Sequence, residues 1–240
     1  MPHARALGET RMRFLPRSYV EAFVDPDERV EGGPAVWVHR TAFGVFQAVP
    51  VEPRDGERHF NVPDGGALRH NAELERQLAG VEEEAARLIR EQLAARRHLA
   101  PEQREVLARF FAALGIRLSS RFGELEDAQA LRGYEELLGA LREMGWVFWE
   151  AKAPFYFISS NAPFHAAFPT DDGLVQGQEL YAPGVELTLA LSPRLALHAT
   201  WTRRGELWRR AGEAVLLELN ARTLQRAHRF VLAPKPAIPL

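Results

Sequence analysis

Two glutamates seven residues apart, Glu75 and Glu82, are the first side chains of this sequence that could do chemistry together. On a helix that spacing stacks them on one side, with Asn71 a turn further back. Stacked carboxylates can hold a divalent cation or share acid–base work. They can also pair with cations of the next helix, where Arg117 and Arg121 stand one turn apart. Flanking charges usually pair locally, so an ion-pair seam is the simpler reading.

A second candidate is Glu150-Ala-Lys152, which on a strand would point both charged side chains to one face. The triplet is similar to one found in metal-dependent nucleases, whose chemistry needs a further acid on a neighbouring strand. The nearest aspartates, Asp127, Asp171 and Asp172, fall in helix or loop instead. Ser159 and Ser160 raise the question of a nucleophile, but neither sits in Gly-x-Ser-x-Gly. His165 follows in the same predicted loop with no acid to orient it. The eight histidines form no His-x-x-x-His pair and the chain has no cysteine, so neither a zinc site nor thiol chemistry is expected. No glycine-rich phosphate loop is present, and no cofactor is expected.

Composition narrows the class further. A chain of 240 residues with 46% hydrophobic content can bury a full core without disulfides. A net charge of −2 gives no global attraction to nucleic acid. Lys152 and Lys235 are the only lysines, and arginine carries the remaining positive charge, as the codon bias of a GC-rich bacterial genome would produce. No apolar run reaches the ~18 residues of a membrane span. A soluble protein of the bacterial cytoplasm is expected, with partners left open.

The elements that must position these residues follow from periodicity. A short helix is predicted over 14–24 with Pro16 in its first turn, then strands over 35–41 and 45–52. The segment 53–69 is dense in turn formers. Apolar residues at Leu74, Leu78, Val81, Ala85 and Leu88 then mark a long helix over 71–97. Pro101 opens a second helix, and a third covers about 127–144 and stops before Gly145. Strands return at 145–152, 154–160, 185–191 and 195–201, followed by a helix over 205–228 and a strand at 229–233. Strand and helix blocks are segregated, which predicts an α+β fold. The expectation is a single domain over 1–240, a mostly antiparallel sheet covered by a layer of antiparallel helices from 71–144.

Taken in order, these pieces resemble the bacterial family known as domain of unknown function 4238. The likeness rests on Pro16 before a short aromatic helix, Glu75 and Glu82 on one helix, and Arg117 on the next. It continues through Ser160-Asn161-Ala162-Pro163, Ala190-Leu-Ser-Pro193, Asn220, and Ala227-His-Arg229-Phe230. The family pattern has Asp-Asn where this chain has Asn161 and Ala162, so an acid able to hold a metal or take a proton is replaced by a neutral amide. The resemblance carries no defined activity. The chain is therefore expected to be a non-catalytic binding or accessory module. The alternative is a divergent hydrolase, metal-dependent nuclease or toxin-like effector using Glu75, Glu82, Arg117, Glu150 or Ser160. Asn161, Asn220 and Arg229 are the candidate binding residues, and Asn220 is expected to fasten its helix to open backbone groups near the turn at 156–163.

Overall fold

The structure is a computed structural model, which describes residues 15–25, 29–30, 33–41, 44–51, 80–117, 127–170, 173–176 and 180–239. It is an α+β fold, as the segregation of elements predicts, but its strands divide between two sheets. The first sheet is built from β1 (Arg29–Val30), β2 (Gly33–Arg40), β3 (Val45–Pro50), β5 (Ser159–Ser160) and β11 (Phe230–Ala233), all paired antiparallel. Alternation in β2 works as read from the sequence: Val36 and Val38 are buried while Trp37 and His39 are partly exposed.

The second sheet runs β10–β4–β9–β8–β6–β7. Its strands are β4 (Gly145–Glu150), β6 (Phe164–Thr170), β7 (Gly173–Gln176), β8 (Glu186–Ser192), β9 (Leu195–Thr200) and β10 (Glu206–Arg210). Every pair is antiparallel except β10 with β4. The register gives the two faces different chemistry. One face aligns Phe164, Leu189, Leu197 and Phe148 across four strands. The other aligns His165, Thr188, His198 and Val147. Side chains of directly paired residues share a face, so the first row is dry and the second polar.

The helices supply the rest of the core. In α1 (Arg17–Glu21) the carbonyl of Pro16 accepts the amides of Tyr19 and Val20, and both side chains are buried. This helix is shorter than the predicted 14–24. After Gly80, which takes the left-handed φ of +83°, α2 (Val81–Leu88) runs into a π-helical turn at Ile89–Leu93. Ala85 and Leu88 of the predicted stripe are buried, and through the π-turn the buried positions become Ile89 and Leu93. The stretch 71–79 of the predicted helix, with Asn71 and Glu75, lies outside the described residues. Two 17-residue helices follow, α3 (Pro101–Arg117) and α4 (Asp127–Glu143). Phe111 of α3 meets Trp146 on the dry face of the second sheet at 5.6 Å between ring centroids.

The joint between α4 and β4 is tight. Arg104 donates to the Met144 carbonyl at 2.7 Å and lays its guanidinium 3.8 Å over the Trp146 ring, which satisfies a helix-end carbonyl and adds a cation–π contact. Gly145 leaves no room for a side chain, since a Cβ there would stand 2.6 Å from the Arg203 carbonyl oxygen.

The predicted helix over 205–228 is corrected. Residues 206–210 form β10, and the helix itself, α5, spans Glu213–Arg226. Trp208 and Ala211, spaced to continue the apolar arc of α5, belong instead to the strand and the link after it. The parallel pairing of β10 with β4 supplies hydrogen bonds that local spacing does not reveal. Likewise 154–158 is not strand, and its Ala153–Pro154 peptide is cis. Phe157 joins the main core there, while Tyr156 and Ile158 pack into a smaller cluster with Val231 and Ala233.

Candidate functional site

The segment Tyr156–Asn161 is tied from several sides, and the motifs of the later part of the chain converge on it. From the α5 side, Asn220 accepts the Ile158 amide at 3.1 Å and donates to the Tyr156 carbonyl at 3.0 Å. Asn220 is 1% exposed, and these are the open backbone groups that its place on the helix predicts. The turn between β8 and β9 contributes Pro193, whose carbonyl accepts the Phe157 amide at 2.9 Å. Strand β11 pairs with Ser159 and Ser160. At the far end, Asn161 Oδ1 accepts the amides of Arg229 at 2.9 Å and Phe230 at 3.2 Å. Ser160 Oγ accepts the Ala162 amide at 3.1 Å and closes the turn.

Ser159 is tied from the other direction. Its hydroxyl lies 2.9 Å from the Tyr19 hydroxyl, which also donates to the Ala190 carbonyl. Burial pushes the Tyr19 phenol well above its ordinary range, against a smaller opposing effect of the Ser159 bond. A neutral, locked phenol is a structural pin and not a base. Among the described residues neither serine has a histidine partner: His165 belongs to β6 and not to a loop, and no hydrogen bond joins its ring to either hydroxyl.

The other predicted residues fall elsewhere. Glu150 ends β4 and pairs with Arg96, a residue held at φ +54°. Lys152 lies beyond the strand end and is exposed, so the Glu-x-Lys triplet does not share one strand face. Glu82 sits half-buried in the first turn of α2, and Arg117 closes α3. Glu75 and Arg121 lie outside the described residues. An ion-pair seam joins α3 and α4. Glu105 of α3 bonds Arg109 at 2.8 Å and Arg142 of α4 at 2.8 Å. The Arg142 bond, reinforced by Arg109 against partial burial, holds the Glu105 carboxyl at about 2. Among the described residues no group of three or more histidine or acidic side chains could hold a metal ion.

Sequence reasoning missed a charged cluster on the polar face of the second sheet. Arg222 of α5 is 3% exposed and donates to Glu186 at 2.7 Å, with Glu218 one helical turn away as its second partner. His198 Nε2 stands 3.3 Å from the same Glu186 carboxylate. Burial alone would push Glu186 up, but His198 and Arg222 outweigh it and hold the carboxyl at about 2. His165 beside them is pushed down to about 4, first by burial and then by the Arg226 and Arg222 charges. A charged residue at an inward strand position was the one available signal, and without the register it had no partner.

Sequence reasoning also missed a cleft of about 340 Å³ where four separate segments meet: the chain after α1, the Ala153–Tyr156 segment, the β8–β9 turn, and the residues after β11. Its walls include Pro154, Pro193 and Pro234 with the Tyr156 ring, and Arg194 and Lys235 bring positive charge. Tyr156 is therefore shared between this cleft and the Asn220 tie.

Among the described residues no helix is long and apolar enough to cross a membrane. No curated protein and no solved structure matches the chain. One family model does, described as a protein of unknown function, DUF4238, and it matches residues 14–133. The motifs from Ser160 onward lie beyond that match. Because the model covers half of the 240 residues, from the Pro16 helix into α4, the chain belongs to the DUF4238 family.

Proposed function

We propose that this protein is a binding or accessory module without catalytic chemistry of its own. One observation carries the reading: four of the candidate residues, Ser160, Asn161, Asn220 and Glu150, have polar atoms engaged in holding the fold. Ser160 and Asn161 close a turn, Asn220 bridges a buried segment, and Glu150 faces Arg96. A nucleophile or base must instead present a hydrogen-bonding atom to substrate. The proposal extends to layout: 1–240 acts as one α+β unit, its helices layered on the second sheet, supported by a core that draws on α1 to α5 and both sheets. A cysteine-free, arginine-rich chain suits the bacterial cytoplasm.

The test is a turnover screen of purified protein on single- and double-stranded DNA and RNA, with and without Mg²⁺ or Mn²⁺. No cleavage is expected under any condition. Cleavage that disappears in Glu82→Gln or Glu150→Gln would replace this reading with a metal-dependent hydrolase.

A further inference from the structure

We propose that the cleft bounded by Pro154, Tyr156, Pro193, Arg194 and Lys235 binds a small organic anion with a flat apolar body. This deepens the binding-module reading and rests on it. Size sets the class first. A cleft of about 340 Å³ is roughly twice the ~150 Å³ cavity that takes up benzene, and it stands at the small end of ligand pockets. It suits a bicyclic or substituted aromatic ring rather than a folded partner.

The walls set the shape. Three prolines and Tyr156 line the cleft, cyclic side chains that lose little rotamer freedom when a ligand enters. They are also held in place before anything binds. The Tyr156 hydroxyl donates to the Ala237 carbonyl at 2.8 Å, and its own carbonyl is held by Asn220. The Pro193 carbonyl is held by the Phe157 amide, and the Arg194 amide by Ser192 Oγ at 3.2 Å. A cleft fixed in advance avoids the ordering cost of binding.

Charge sets the sign. Arg194 uses Nη1 on the Phe155 carbonyl at 2.9 Å, and neither Arg194 nor Lys235 pairs with a carboxylate among the described residues. Asp25 is the single acid of the lining and already has an interaction of its own. The lining therefore carries a net positive charge beside apolar walls, which complements a carboxylate, sulfonate or phosphate ester on an aromatic body. Both lysines of the chain stand here, Lys235 in the wall and Lys152 next to the lining residue Ala153.

The experiment compares 2-naphthoate with its neutral counterpart 2-naphthamide, and with inorganic phosphate, by titration calorimetry on the full chain. Naphthoate is expected to bind at least tenfold more tightly than naphthamide, and inorganic phosphate at least tenfold more weakly than naphthoate. Arg194→Gln and Lys235→Gln, both at exposed positions, should each weaken naphthoate several-fold and naphthamide distinctly less. Melting temperatures without ligand should match the wild type for Lys235→Gln, whose exposed side chain has no hydrogen bond or ion pair among the described residues. Equal binding of the acid and the amide, no binding of either, or naphthoate affinity unchanged in both variants would overturn the proposal. A failure of the non-catalytic reading shows separately, as substrate turnover that both variants retain.

Discussion

Asn220 and Ile158 are joined across the fold by a hydrogen bond of 3.1 Å, a helix side chain replacing the strand partner that the Ile158 amide lacks. The same carboxamide takes the Tyr156 carbonyl, so one residue serves both polar directions of a buried segment. Asn220→Leu keeps the bulk and strands both backbone groups. The expected loss is about 1–3 kcal/mol in chemical denaturation, together with weaker naphthoate binding because Tyr156 loses its tie. Wild-type stability in this variant would contradict the assignment.

Tyr19→Phe removes a phenol that bridges Ser159 and the Ala190 carbonyl, at a residue 3% exposed. Destabilisation of about 1–2 kcal/mol is expected. Burial raises the Tyr134 and Tyr156 phenols too, but Tyr19 most strongly. In an absorbance titration of the folded wild type it should therefore be the last of the four tyrosines to ionise, and Tyr19→Phe should remove that last step.

Acid sensitivity should begin early for a protein with a pinned core. His165 titrates near 4 in the folded state against 6.5 when unfolded. Between those values the unfolded chain binds the extra proton, so stability falls as pH drops from about 6.5 toward 4, by about 3 kcal/mol in full. Glu186, held near 2 against 4.5, adds a loss in the same direction below about pH 4.5. His165→Leu should flatten the upper part of the profile and leave the lower part. A urea midpoint independent of pH from 7 to 5 in the wild type would refute this.

Gly145→Ala should be costly despite adding one methyl group. The clash at 2.6 Å is with backbone, which cannot rotate away. A loss of about 1–3 kcal/mol is expected, whereas Gly212, the exposed N-cap of α5 with open space around it, should lose no more than about 1 kcal/mol on the same change.

Glu82→Gln should change stability by no more than about 1 kcal/mol, and the effect should shrink with added salt. A melting temperature that falls on adding EDTA would instead reveal a cation held by the α2 carboxylates.

Legibility in the sequence followed the range of the interactions. The α4 boundary before Gly145, the alternation in β2 and the stripe of α2 are local, and periodicity exposes them. Asn220 was also legible, because an amide at the edge of an apolar helix face needs backbone partners. By contrast β10 is defined by its register with β4, from Glu206↔Trp146 to Arg210↔Glu150, and nothing near residue 206 announces it. Strand β6 was hidden by Pro163, Pro169 and two alanines, which read as a loop. The cleft was invisible for the same reason: residues near 24, 154, 193 and 235 contribute one wall each.

The two strands flanking α5 belong to different sheets, and this bears on the order in which the protein can be made. β10 completes one edge of the second sheet, whereas β11 lies between β2 and β5 in the first. During synthesis β2 emerges some 190 residues before the strand that must sit beside it. Until then β5 has no neighbour and the Ser159–Ser160 backbone remains open. The second sheet, whose last strand to be made ends at Arg210, can form while the first is still waiting. A nascent chain halted before residue 230 should thus carry one finished sheet and one exposed hairpin, the species that a chaperone would meet.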